Sequence, residues 1–317
     1  MFQHIYSKIY LISRSRSYLC SLTQITDSIN MILIADSGST KTTWCLTDDE
    51  KNTKEIILTA GINPYYEREE EILRKLQNEF PTGIQGVEAI YFYGAGCTSV
   101  PVNQIVKNAL FRFFNAGQIE VESDLTGAAR SLCGHQPGIA CILGTGSNSC
   151  LYDGKNVVQN VSPLGFLLGD EASGGILGRK LLSDVLKKQL PASLVEAFYT
   201  ENQVTQAEIM DNMYRKPFPN RYAAQFSRFI FNHISEPGLK EMVFNEFISF
   251  FRRNVMQYPA AESFPIHFTG SIAYYFSDIL KEAASTLGLT IGKIIQDPIE
   301  GLADFHILNR HPFQGKV

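Results

Sequence analysis

The feature that most limits the fold is a repeat of arrangement. Twice along the chain, a β-type run opens on an apolar strand that ends in a Gly/Ser/Thr turn. The first is MILIADSGSTKTTW, beginning at Met31; the second is GIACILGTGSNSCLY, beginning at Gly138. Each is followed by further strand and helix patterns. Two halves of this kind are expected to form a pseudo-twofold pair of α/β domains, because each meander has a face that needs covering by its own helices. Length agrees, since 317 residues exceed the roughly 100–200 that one domain usually encloses, and two domains imply a cleft.

In the first half, three β-type runs are separated by ADSGSTK and by a charged turn from Asp48 to Lys54, predicting an antiparallel meander. Ile72, Leu73, Leu76 and Phe80 recur at helical spacing across Glu67 to Phe80. A strand (VEAIYFYGAG), a helix from Val102 to Phe114, a strand (QIEVESD) and a helix from Leu125 to Cys133 opened by Asp124 complete the order βββαβαβα. In the second half GIACILG, SCLYDG and NVVQNVSP read as strands. A helical insertion is expected from about 178 to 257, where RYAAQFSRFIFNHI and EMVFNEFISFFRRNV space apolar residues three and four apart, the mark of core packing. FPIHFTGSIAYYF then reads strand, Gly turn, helix, with Ile279 to Leu287 continuing that helix. The expected division is residues 31–125 plus about 300–317 for the N-terminal domain and 126–299 for the C-terminal domain. Residues 1–30 have no clear apolar stripe and are expected to be an extension upstream of the true start.

Composition narrows the function classes. A net charge of -4 gives no electrostatic reason to expect nucleic acid or an anionic membrane as partner, which leaves small-molecule chemistry. No apolar run reaches the roughly 18 residues of a transmembrane helix, and Lys8, Arg14 and Arg16 interrupt any secretory signal. The six cysteines include no C-x-x-C pair, so reduced thiols in a cytoplasmic protein are expected. His135, His233 and His267 have no partner at metal-ligand spacing.

The two turns carry the chemistry. In ADSGSTKTTW, Gly38 permits a tight turn while Ser39, Thr40 and Lys41 place hydroxyls, N–H groups and a cation at its tip, which suits a polyphosphate. A plain polar hairpin turn remains an alternative for this loop taken alone, and it lacks the Walker A spacing. Asp36, ending the first strand, is placed to hold a hydrated Mg²⁺ near the phosphates. ILGTGSNS puts Gly144, Thr145, Gly146, Ser147 and Asn148 at the equivalent turn of the second half. Gly270, between a buried strand and a helix, would let adenine or ribose approach the backbone closely. Asp124, a carboxylate ending a strand at the cleft, could accept a proton from an attacking hydroxyl; it could equally cap the following helix. Asp170 and Glu171, adjacent in the Gly-rich GFLLGDEASGG, suggest either hydroxyl binding or a solvated acidic turn.

The ordered set ADSGSTKT, GINPY, SDLTGAARS, ILGTGSNS, GFLLGDEASGG and FTGSIA, spread from Met31 to about His306, resembles the N-acetylglucosamine kinase branch of the actin-like ATPase and sugar-kinase superfamily. That group also includes activator ATPases of benzoyl-CoA reductase and hydroxyacyl-CoA dehydratases. The resemblance implies two ribonuclease-H-like domains with ATP and Mg²⁺ between them. It implies that Asp36, Gly38, Ser39, Thr40 and Lys41 belong to the first phosphate loop, Gly144, Thr145, Gly146 and Ser147 to the second, and Gly270 to the adenosine site. It further implies that Asn63, Asp124, Asn148 and Asp170 contact an amino sugar, with Asp124 as catalytic base, and that the insertion could support a homodimer. Phosphorylation of N-acetylglucosamine or glucosamine at the 6-hydroxyl is the activity expected. The other readings are an activator-type ATPase, which would need closely placed cysteines for an iron–sulfur cluster, and a sugar sensor without catalysis.

Overall fold

The computed structural model describes residues 31–310 except 39, 49–53 and 260. The expectations for residues 1–30, for Ser39, for most of the charged turn between Asp48 and Lys54, and for the end of the N-terminal domain beyond 310 therefore lie outside the described residues.

The first half runs β1 (Met31–Ser37), β2 (Lys41–Thr47), β3 (Lys54–Ala60), α1 (Glu69–Glu79), β4 (Val87–Gly94), α2 (Val100–Phe114), β5 (Gln118–Ser123) and α3 (Asp124–Cys133). Its strands form one five-stranded sheet in the order β3-β2-β1-β4-β5, antiparallel across the meander and parallel from β1 to β5. The second half opens with β6 (Gly138–Leu143), β7 (Ser147–Tyr152), β8 (Val157–Gln159) and α4 (Gly165–Leu168). A helical stretch follows, comprising α5 (Gly174–Leu186), α6 (Ala192–Asn202), α7 (Gln206–Tyr214), α8 (Pro219–Ala224), α9 (Ser227–Asn232) and α10 (Pro237–Arg253). The chain then returns through β9 (Ile266–Thr269), α11 (Ser271–Tyr275), α12 (Ser277–Thr286), β10 (Ile291–Ile295) and α13 (Ile299–Arg310). The second sheet has the order β10-β9-β6-β7-β8, the same plan as the first.

Both sheets bury two faces, so their central strands read as continuous apolar runs. In β1, Leu33 and Ala35 pack with Trp44, Phe92 and the apolar stripes of α1 and α2. Ile32 and Ile34 point the other way, as alternation requires, and meet Ile299, Leu302, Ala303 and Ile307 of α13. In β6, Ile139, Cys141 and Leu143 face a large core filled by Phe198, Phe226, Phe247, Phe250 and Phe251 of the inserted helices. Ala140 turns to Leu125, Ala128, Ala129 and Leu132 of α3.

The two halves therefore exchange helices: α3 leaves the first sheet and packs on the second, while α13 leaves the second sheet and packs on the first. They cross where the Ser131 hydroxyl donates to the Pro298 carbonyl at 2.8 Å. Gly301 makes the crossing possible, since a Cβ there would lie 2.4 Å from Ser131 Oγ and 2.6 Å from its carbonyl oxygen.

Three expectations change in detail. The inserted helices begin at Gly174, because Ser173 caps α5 by accepting from the Ile176 N–H at 3.2 Å. The expected third strand of the second half shrinks to Val157–Gln159, an edge with little to pair against. The helix after Gly270 breaks at Phe276, which is buried with backbone angles outside the helical range and meets Phe231 edge to face, although α11 and α12 still bury their apolar residues in the same core. Among the described residues, no helix is long and apolar enough to cross a membrane.

Gly301→Ala should force α3 and α13 apart and cost about 1–3 kcal/mol of unfolding free energy, read as a lower midpoint in urea. An unchanged midpoint would show that the crossing tolerates a side chain.

Candidate active site

The first turn is fastened from below. Ser37 is fully buried; its hydroxyl shares a 2.7 Å hydrogen bond with Thr42 Oγ1, donates to the Ile62 carbonyl at 3.0 Å and accepts the Ile62 N–H at 2.9 Å. The Gly38 N–H donates to the Lys41 carbonyl at 3.0 Å and closes the hairpin. Thr40 and Lys41 are exposed at the tip, where an anion could reach them, although the Lys41 ammonium already donates to Asp297.

Carboxylates gather beside this turn. Asp36 keeps some exposed surface, yet its carboxyl is pushed up to about 8 by burial, then by the negative charges of Asp297 and Asp124, with Lys41 opposing. Asp124, the first residue of α3, is raised to about 6 by burial against the pull of the Leu125 N–H, which donates to Oδ1 at 2.9 Å. The cap of α3 is Ser123, whose hydroxyl accepts the Thr126 N–H at 3.1 Å, so Asp124 is released from capping.

Asp297 was not anticipated. It follows β10 as Asp124 follows β5, and its Oδ2 accepts from Lys41 Nζ at 3.1 Å and from Thr43 Oγ1 at 3.3 Å. The symmetry of the two halves was the signal that could have found it, because the strand IGKII and the residues after it occupy the place of QIEVESD.

The second turn is held by the GDEASGG segment. The Gly144 and Thr145 carbonyls accept from the N–H groups of Gly174 and Gly175 at 2.8 and 3.0 Å, so the first turn of α5 is bound to the loop. Asp170 Oδ1 accepts the Ser147 N–H at 3.2 Å. Its carboxyl is raised to about 6, chiefly by burial. Asp170 and Ala172 both adopt left-handed backbone, at φ 56 and 59, an uncommon state for residues with a Cβ. Helix α10 stabilises it: buried Glu246 accepts the Ala172 N–H at 3.0 Å, and Arg253 and Asn254 bind the Glu171 carboxylate. Gly270 closes this side with φ 111, since a Cβ would stand 2.4 Å from the Leu143 carbonyl oxygen.

Asn63 accepts the Tyr65 N–H through Oδ1 at 3.0 Å and lies against Gly96 in the loop after β4. Asn148 Oδ1 accepts from the Ser149 N–H and from Asn160 Nδ2, both at 2.9 Å, so its oxygen is already committed within its own lobe. Tyr66, beside Asn63, meets Phe218 of the inserted helices edge to face, with ring centres 5.7 Å apart. The structure thus groups Asp36, Lys41, Asp124 and Asp297 at one turn, and Gly144 to Ser147, Asp170 and Gly270 at the other.

Among the described residues, no group of three or more His, Cys, Asp or Glu side chains forms a metal cage. Asp36 nevertheless suits a cation: a crowded carboxyl that resists ionisation is relieved by one, and a polyphosphate and water could complete a Mg²⁺ shell.

Paired α/β lobes that exchange helices, with a Gly/Ser/Thr turn from each, define the actin-like ATPase fold class. The chain is similar over 88% of its length to a Porphyromonas gingivalis protein provisionally named an N-acetylglucosamine kinase, covering 100% of that structure at 46% identity and a TM-score of 0.85. It therefore belongs to the N-acetylglucosamine-kinase-like branch of the actin-like ATPase and sugar-kinase superfamily. A similarly named Chromobacterium violaceum structure shares the fold at 18% identity and a TM-score of 0.67, over 88% of this chain and 99% of that one. A Streptomyces griseus ROK family glucokinase, in complex with glucose and AMPPNP, shares it at 13% identity and 0.50, over 87% and 98%. No family model matches the chain, and no curated protein matches it.

The raised Asp36 carboxyl has a consequence for stability. It binds its proton more tightly folded than unfolded, so its contribution is greatest below pH 4 and is lost as pH rises towards about 8. Asp36→Asn should therefore raise the thermal midpoint of the ligand-free protein, by more at pH 8 than at pH 5. An equal shift at both would mean that the carboxyl is not strained.

Proposed function

We propose that the protein is an ATP-dependent kinase that phosphorylates an amino sugar, N-acetylglucosamine or glucosamine, on its 6-hydroxyl. The observation that carries this reading is that Asp124, partly buried at the start of α3, lies near enough for its charge to bear on Asp36 of the turn that presents Lys41. With its carboxyl near 6, Asp124 is ionised at neutral pH yet basic enough to take the proton of a sugar hydroxyl as it attacks. Lys41 and the N–H groups of the two turns would hold phosphoryl oxygens, which matters most in a loose transition state that needs positioning more than covalent help. A Mg²⁺ bound through water to Asp36 would neutralise charge on the transferring and leaving oxygens. Asn63 is the residue proposed to orient the sugar. The Asp170 carboxylate, turned to the Ser147 N–H, supports the second phosphate turn, and contact with sugar would have to come from its other oxygen. The domain division near residues 125 and 300 belongs to this proposal, with the lobes closing about α3 and α13.

The activator reading is disfavoured by the thiols. Among the described residues, Cys45, Cys97, Cys133, Cys141 and Cys150 are all buried, and burial raises Cys97 and Cys150 to about 12. Cluster ligation needs thiolates at an accessible surface.

An ADP-release assay against a panel of hexoses and hexosamines tests the activity. The expected result is turnover with N-acetylglucosamine or glucosamine, and a panel without any sugar-dependent ADP would end the proposal. Asp124→Asn should lower kcat by about 10²- to 10⁴-fold while nucleotide affinity changes little. In the unaltered protein, kcat/KM should fall about tenfold per unit below pH 6 as Asp124 gains its proton, and a flat acid limb would remove Asp124 as base.

A further inference from the structure

Asp297 belongs to neither phosphate turn, yet its carboxylate is fixed to the first lobe although its backbone comes from the second. Its backbone lies in the connection from β10, in the second sheet, to α13, which packs on the first. Oδ2 accepts from Lys41 and Thr43 of β2 at 3.1 and 3.3 Å, and Oδ1 accepts from the Ile299 N–H at 3.1 Å. The side chain is 28% exposed, so it is accessible without being free in solvent. Held at three points, it does not simply swing aside for an arriving ligand.

The charge balance follows. Asp36, Asp124 and Asp297 lie close enough that the last two both oppose ionisation of the first. Among the described residues, Lys41 is the cation that offsets them at Asp36, and its ammonium is already engaged by Asp297. A bare nucleotide polyphosphate would bring more negative charge into a partly desolvated site where like charges repel strongly. A nucleotide carrying a divalent cation meets the opposite balance, because the cation answers the carboxylates while the phosphates compete for Lys41.

We propose that Asp297 makes nucleotide binding conditional on a bound divalent cation, by occupying Lys41 in the empty site and repelling the uncomplexed polyphosphate. This rests on the ATP-binding reading above. Asp297 is then a specificity residue for the form of the nucleotide. A purely structural Asp297, capping α13 through Ile299, would on neutralisation weaken both forms of the nucleotide alike.

The test is calorimetric titration with ADP, in MgCl₂ and in EDTA, which requires no knowledge of the sugar. For Asp297→Asn, metal-free ADP should bind at least about tenfold more tightly than to the unaltered protein, with Mg·ADP changed by less than about threefold, a size expected for removing one close charge. Asp297→Ser retains an oxygen for the Ile299 N–H and serves if the Asn variant does not fold. Glu300→Gln, at an exposed acid paired with Lys54, is the control for general charge and should leave the ratio of the two affinities unchanged. A ratio unchanged in the folded Asp297 variants overturns the proposal, as does an equal fall in the Glu300 variant. If the unaltered protein binds ADP in neither buffer, the kinase reading fails along with it.

Discussion

The crossing of α3 and α13 is the constraint on which the rest of the molecule depends. Each helix is paid out by one sheet and buried on the other, so neither lobe is complete alone. Ile299, Leu302 and Ile307 each contribute about 1.5–3 kcal/mol by burial against the first sheet, and this apolar surface ties the end of the chain to its beginning. The same crossing aligns the cleft. Asp124 stands at the start of α3 and Asp297 just before α13, so the two crossing helices each bring a carboxylate to the first turn.

The cleft is built from arrangements that cost stability. The charges of Asp124 and Asp297 both bear on Asp36 with Lys41 opposing them, and Asp36 would be easier to bury as a neutral group. Across the cleft, Asp170 and Ala172 hold left-handed backbone so that the Asp170 carboxylate reaches the Ser147 N–H. Such strain persists only where the surroundings over-determine it, and here Glu246, Arg253 and Asn254 supply that support. The inserted helices thus do more than fill space behind the second sheet. They anchor the segment that shapes the second turn.

Much of this was legible in the chain. The strand runs, the helix stripes and the two polar turns depend on local periodicity and on which residues tolerate tight turns, and these are properties of neighbours in sequence. Asp36, Lys41, Asp124 and Gly144 to Ser147 stood out for that reason. The break at Phe276 did not, because apolar residues keep helical spacing straight through it and only the folded backbone departs from the helix there.

What the sequence by itself determined is therefore the parts: two β-meanders, their turns, the carboxylate at the head of α3, and the motif order that marks the family. Only the tertiary structure decided how the parts meet. Asp297 lies 256 residues from Lys41 along the chain, and no local pattern joins them. They are brought to 3.1 Å because α13 must cross back to cover the first sheet, and an apolar helix face with nowhere else to be buried leaves that path as the favourable one.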